Sequence, residues 1–167
     1  MSSTAPRKSH TLDRTDRRIL EVLQDNAGLS NQELAERVGL SPSPCLRRVR
    51  ALEEAGIIVG RYALLDRKRL GLEITALIHI GMDRHTPERF AAFEAAVSGY
   101  SEVQHCYLIT GQAADYLLQV VVPDMDAYQD FLLRRITRLD GVSSVHSSFV
   151  LRRVIDRTAL PLGYLRT

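Results

Sequence analysis

The chain has 167 residues, 45% apolar and 25% charged, with 22 Lys and Arg against 20 Asp and Glu for a net charge of +2. That length holds one ordinary domain or two small ones, and the balance is that of a soluble globular protein, neither disordered nor strongly basic. No apolar run approaches the roughly 18 residues of a membrane helix, and the start lacks the apolar core of a secretory signal, so no membrane partner and a cytoplasmic location are expected.

Residues 1–11 are mostly Ser, Thr, Pro, Arg and Lys and read as a flexible tail. Residues 13–26 carry Ile19, Leu20, Val22 and Leu23 at helical spacing, with Asp13 or Thr15 as the cap. After Ala27-Gly28-Leu29, Ser30 and Glu33 make a capping box for a second helix that buries Leu34 and Val38 and stops at Gly39. A third helix follows with both ends marked. Ser41 is the expected N-cap, its hydroxyl accepting a first-turn N–H; Pro42 fits the first helical position; Gly56 can take the left-handed conformation past the end. Cys45, Val49 and Leu52 share one face, leaving Ser43, Pro44, Arg47, Arg48, Arg50 and Ala51 on the others.

Helix, short helix, tight turn, helix is the tri-helical helix-turn-helix plan, whose last helix lies in the major groove of double-stranded DNA. Small residues and arginines opposite a buried seam suit that position, since arginine reaches phosphates or bonds guanine edges with two donors. The expected DNA-contacting residues are Ser41, Ser43, Pro44, Arg47, Arg48 and Arg50, with Arg47 reading bases and Arg48 mixed. The first 66 residues carry ten Lys and Arg against nine Asp and Glu, so affinity per head is expected to be modest and to depend on multivalency.

Residues 57–66 alternate weakly and are expected to form a strand or wing, leading into a basic connector with Gly71. The expected organisation is a helix-turn-helix domain over residues 12–60, a linker strand and connector over 61–72, a second domain over 73–156, and a C-terminal tail over 157–167. The second domain opens with a strand over residues 74–82. Thr86-Pro87-Glu88 starts a helix that buries Phe90, Phe93 and Val97. Strands over 103–110 and 116–122 flank a glycine loop at Gly111. A second helix, capped by Asp124 or Asp126, carries Met125, Tyr128, Leu132, Ile136 and Leu139 before Gly141, and residues 142–155 supply a long last strand. The order βαββαβ is ferredoxin-like, so the fold class is α+β. Residues 117–122 are apolar on both faces, so the sheet face without helices should be buried by a second subunit.

Residues 110–116 form the second stretch with chemistry. Backbone N–H groups at the Gly111 turn suit a free amino acid's carboxylate, and Asp115 suits its ammonium. The plainer alternative is a hairpin turn whose Asp115 caps its own backbone. Enzyme readings fare worse. His105 and Cys106 are adjacent in a strand, point to opposite faces, and cannot pair as base and nucleophile. His79 and His146 each stand among apolar residues and read as sheet histidines, not metal ligands. The two cysteines, Cys45 and Cys106, read as small buried hydrophobes. No phosphate loop or dinucleotide fingerprint occurs, so no catalytic residue, metal or cofactor is expected.

Several stretches together resemble the Lrp/AsnC (leucine-responsive, feast/famine) transcription regulators. They are Leu12-Asp13-Arg14-Thr15-Asp16-Arg17-Arg18-Ile19-Leu20, the run Leu40-Ser41-Pro42-Ser43-Pro44-Cys45-Leu46-Arg47-Arg48-Val49, Leu52-Glu53-Glu54-Ala55-Gly56, Gly111 with Asp115-Tyr116-Leu117-Leu118, and Val122-Pro123-Asp124-Met125. The resemblance runs from about Leu12 to about Ile155. It implies a regulatory domain that dimerises through its sheets, assembles to a tetramer or octamer, and binds a small effector, an amino acid, at the contact between dimers. Carried onto this chain, the effector residues are Thr110, Gly111, Gln112, Asp115 and Tyr116, joined by Ser147 and Ser148 of the last strand. The family usually has two residues between this Gly and Asp; here Gln112, Ala113 and Ala114 make three, which bears on effector geometry and use. The residues around Ser147 and over 158–162 look like a branch that includes regulators of amino-acid catabolism. The expected function is a sequence-specific DNA-binding transcription regulator whose assembly or DNA affinity responds to an effector. Two alternatives stay open: an architectural protein that wraps DNA without an effector, and an effector-binding enzyme subunit whose helices bind protein.

Overall fold

The computed structural model describes residues 11–111 and 114–165, so Gln112 and nearly all of the tail assigned to residues 1–11 lie outside it. The chain forms two units, one from residues 11–63 with 155–165 and one from residues 64–154.

Two reciprocal capping boxes start the helical unit. At α1 (Arg14–Asp25) the Asp13 carboxylate accepts the Asp16 N–H at 2.8 Å and the Asp16 carboxylate accepts the Asp13 N–H at 3.3 Å. At α2 (Asn31–Val38) Ser30 and Glu33 do the same, and Gly39 ends the helix at φ 72°. After α3 (Pro42–Glu54), Gly56 takes φ 69° and the N–H groups of Ile57 and Ile58 fold back onto the Leu52 carbonyl. The three helices close over Ile19, Leu20, Leu34, Ala35, Val38, Cys45, Val49 and Leu52.

Residues 57–66, expected as a strand or wing, form no strand among the described residues, because they take part in no ladder of paired backbone hydrogen bonds there. The C-terminal residues do not trail away. The Leu160 N–H donates to the Gln24 side-chain oxygen at 2.6 Å, the Gln24 amide donates back to the Leu160 carbonyl at 3.3 Å, and Leu162 packs on the helical core.

The second unit is a four-stranded antiparallel sheet in the order β2-β3-β1-β4, built from β1 (Ile74–Met82), β2 (Val103–Leu108), β3 (Tyr116–Val122) and β4 (Val142–Phe149). The helices α4 (Pro87–Ser98) and α5 (Met125–Arg134) cover one face. Strict alternation along β3 sends Tyr116, Leu118, Val120 and Val122 under them, against Phe93, Val97, Tyr128 and Phe131. Leu77, Leu117 and Val121 lie half-buried on the other face, and Tyr107 is exposed there.

Three sequence expectations shift. The second helix breaks at Arg135 and finishes as a short 3-10 turn, Ile136–Arg138. The last strand stops at Phe149 instead of running to residue 155. It is an edge strand paired only with β1, in the register Ala76 to Phe149, and β1 begins just two residues earlier; after Val150 bonds the Thr75 carbonyl, no partner remains. His79 and His146 are not isolated: they are direct cross-strand partners, although no third His, Cys, Asp or Glu joins them as a ligand group among the described residues.

The Gln24 clamp gives a direct test. Gln24→Ala should speed hydrogen exchange at the Leu160 amide at least about tenfold, leaving exchange in β1 unchanged, and lower helical-unit stability by about 1 kcal/mol.

Candidate nucleic-acid interface and effector loop

The start of α3 is unusual chemically. Ser41 has extended N-cap geometry, yet its hydroxyl makes no capping bond. Pro42 and Pro44 occupy two of the first three helical positions, and an N-cap oxygen bonds the N–H of the second or third. The third has none, which leaves only Ser43 N–H. The turn into α3 is instead held from α2, where the Asn31 side-chain amide donates to the Pro42 carbonyl at 2.8 Å.

The arginines of α3 separate by angle. At about 100° per residue, Ser43, Arg47 and Arg50 fall within about 40° of the direction opposite Cys45, while Arg48 is only about 60° from Cys45. Arg47 and Arg50 are exposed and make no ion pair among the described residues. Arg61, which flanks the helix in sequence, is tied to Glu53 at 2.9 Å. Arg48 turns inward: its Nη1 donates to Asp13 at 2.7 Å and to Asp16 at 2.8 Å, and the Asp16 side chain is only 2% exposed. Arg48, expected in a mixed DNA role, stands in this structure as a strut between α3 and the capping box of α1. The Asp16 N–H, with Arg48 beside it, holds the Asp13 carboxyl below its ordinary range, and the two carboxylates raise the Arg48 guanidinium in turn. A depressed carboxyl contributes stability that is present above about pH 4 and lost as pH falls through the folded value.

At the other site, Ile109 N–H bonds the Asp115 carbonyl and Asp115 N–H bonds the Ile80 carbonyl, both at 2.8 Å, closing the loop beside β1. Thr110 and Gly111 are exposed in it, and a Cβ on Gly111 would meet nothing within 4 Å. The Asp115 carboxylate is already engaged. Oδ2 accepts the Met82 N–H at 2.7 Å, and Oδ1 lies 2.7 Å from His85 Nε2.

The other expected effector residues do not converge on this loop. Tyr116 is 1% exposed, packs on Phe90 and Phe93, and donates its hydroxyl to Glu94 at 2.8 Å. Burial and that carboxylate push its phenol well above the usual range. Ser147 and Ser148 point to opposite faces. Ser147 lies on the helix side, hydrogen-bonded to the Tyr128 hydroxyl; Ser148, opposite Leu77, lies on the bare side. His85 was missed in the sequence because an exposed residue before a helix cap carries no pattern. Cys106, expected as buried, is exposed: β2 is the far edge of the sheet, and a cavity of about 390 Å³ opens there between it and α4.

Residues 12–59 match a winged helix-turn-helix DNA-binding model, and residues 75–160 match the Lrp/AsnC ligand binding domain. The chain belongs to the Lrp/AsnC family. It is 43% identical to the leucine-responsive regulatory protein of Salmonella typhimurium, over 92% of this chain and 93% of that one. It is 42% identical to the Bkd operon transcriptional regulator of Pseudomonas aeruginosa, over 90% and 98%. A transcriptional regulator of Neisseria meningitidis, solved as a complex with L-Met, superposes with a TM-score of 0.87 at 45% identity, covering 91% of this chain and 97% of that one. These relatives are regulators, not enzymes, and the α+β architecture of helix-turn-helix and regulatory domain is theirs as well.

Two expectations follow from the geometry. Arg48→Ala withdraws the guanidinium from a shielded carboxylate and should cost about 2 kcal/mol, less than the roughly 3–5 kcal/mol of a fully buried pair because Arg48 keeps partial contact with water. In thermal melts that is about 10 °C for the helical unit, with Arg47→Ala within about 2 °C of wild type. Ser147→Ala strands the buried Tyr128 hydroxyl and should destabilise the second unit by about 1–2 kcal/mol in urea. Tyr128→Phe/Ser147→Ala together should recover part of that.

Proposed function

We propose that this Lrp/AsnC chain is an amino-acid-responsive transcription regulator of the cytoplasm, binding double-stranded DNA as a homodimer or a higher assembly of dimers. The observation that carries the DNA reading is the free face of α3, where Ser43, Arg47 and Arg50 point away from the core with both guanidinium groups uncommitted. Ser41 and Pro44 flank them at the helix start. Arg47 reads a base edge, and Arg50 is a phosphate contact. Two heads on a dimer call for a roughly palindromic site.

The second copy of the chain covers the bare sheet face. What supports this is the apolar character of Leu77, Leu117, Val121 and Tyr107 in a row of strands with no helix over them. The effector is a free amino acid at the 110–115 loop, its ammonium on Asp115 and its carboxylate on loop N–H groups. The family's ligand-binding domain over residues 75–160 supports this, as does the Neisseria relative with its bound L-Met. Coupling requires the effector to favour one packing of dimers over another.

A gel shift on the chain's own promoter region tests the DNA assignment. Arg47→Ala should lose roughly 1–3 kcal/mol per head, about 5- to 150-fold, and relax preference at one base position. Arg50→Ala should weaken all sequences alike and flatten the salt dependence. Unchanged affinity of Arg47→Ala for every operator variant would remove α3 from the groove. Light scattering should give a dimer or larger at micromolar concentration. Failure of every amino acid to bind would favour the effector-free architectural reading, which the longer loop also favours.

A further inference from the structure

We propose that His85 is a built-in occupant of the ammonium subsite: in the ligand-free chain it holds Asp115 Oδ1, and an effector binds by displacing it. The inference rests on the reading of Asp115 as the effector's anchor and adds a regulator to that site.

The two oxygens of Asp115 do different work. Oδ2 accepts the Met82 N–H at 2.7 Å, which pins the carboxylate to the end of β1 with a main-chain bond. Oδ1 accepts no backbone N–H among the described residues, and there His85 Nε2 sits at 2.7 Å. The two partners differ in how firmly they are held. The Asp115 side chain is 22% exposed, whereas His85 is 68% exposed and, among the described residues, backed by an edge contact to Phe90 with ring centroids 6.0 Å apart. The carboxylate is therefore a fixed site and the imidazole a removable cover. His85 lies in the loop between β1 and the Thr86 cap of α4, so it can swing out without breaking either element.

An imidazole ring nitrogen on a carboxylate is the chemistry that a primary ammonium would replace. The ammonium brings three donors and a full charge, and the imidazole one donor to this oxygen. A ligand must therefore carry a cation to compete, which selects amino acids over their keto or hydroxy analogues. The competition has a cost in affinity: if the covered state holds nine-tenths of the population, apparent binding is about tenfold weaker than intrinsic binding.

Of the charged side chains on and after the same loop, Asp83 pairs with Arg89 at 3.3 Å, and Asp115 is the group bonded to the ring.

The test is titration calorimetry on the full chain with L-methionine and L-leucine, and with whichever of the twenty amino acids raises the melting temperature. His85→Ala should bind about three- to tenfold more tightly than wild type. His85→Gln, which keeps a donor at this position, should fall between the two. Melting temperatures near wild type would show that these exposed substitutions leave the fold intact. If Asp115→Asn weakens binding but His85→Ala matches wild type in affinity, the cover is refuted and the anchor stands. If Asp115→Asn binds as wild type does, or no amino acid binds either wild type or His85→Ala, the anchor itself falls and the cover with it.

Discussion

One guanidinium group holds the reading head in shape. Arg48 of α3 reaches the two aspartates that open α1, and those aspartates already cap each other's backbone. The result is a single polar knot at the mouth of an otherwise apolar three-helix core. Asp16 can lie almost entirely out of water because it is charge-balanced and hydrogen-bonded there, and a carboxylate in that position without such partners would not be tolerated. The knot sets the rotation of α3 about its own axis. With Arg48 drawn inward, Arg47 and Arg50 have to face outward. The orientation of the face proposed to meet DNA is thus a consequence of an interaction on the other side of the helix.

The regulatory unit uses the same device more lightly. Its core is made by alternation: β1 and β3 send every second residue under α4 and α5, and the ring cluster of Phe90, Phe93 and Tyr116 packs with them. At the open end of that core, Asp115 bridges the loop before β3 to the last residue of β1. A residue that fastens two elements is well placed to sense a ligand, because anything that pulls on its carboxylate pulls on both. A carboxylate held only by flexible side chains would yield locally and transmit nothing.

Much of this was legible in the chain. The capping residues Asp13 and Ser30, proline at the first position of α3, glycine after α2 and α3, and period-two alternation in β1 and β3 are local signals, and local signals survive folding. The rest is set by contacts between residues far apart in the chain. Arg48 reads as a surface charge until its angle from Cys45 is compared with that of Arg47, and even then its partners lie more than thirty residues away. Ser147 and Ser148, expected together from the family resemblance, point to opposite faces, because adjacency in a strand separates side chains. The length of β4 depended on where β1 begins, a matter of register that no single strand records. His85 became visible only when folding set it against Asp115.

The two prolines that open α3 reach into kinetics. With φ fixed at residues 42 and 44, the first turn of the helix has few conformations to lose, in the unfolded chain or on meeting a ligand. If α3 is the helix that meets DNA, as proposed above, that surface is ordered before contact, and encounter resembles the docking of a rigid body more than the folding of a segment. In that regime arrival rates differ little from one DNA sequence to another, and discrimination lies in residence time. A regulator built this way samples many sites quickly and is sorted by how slowly it leaves the right one.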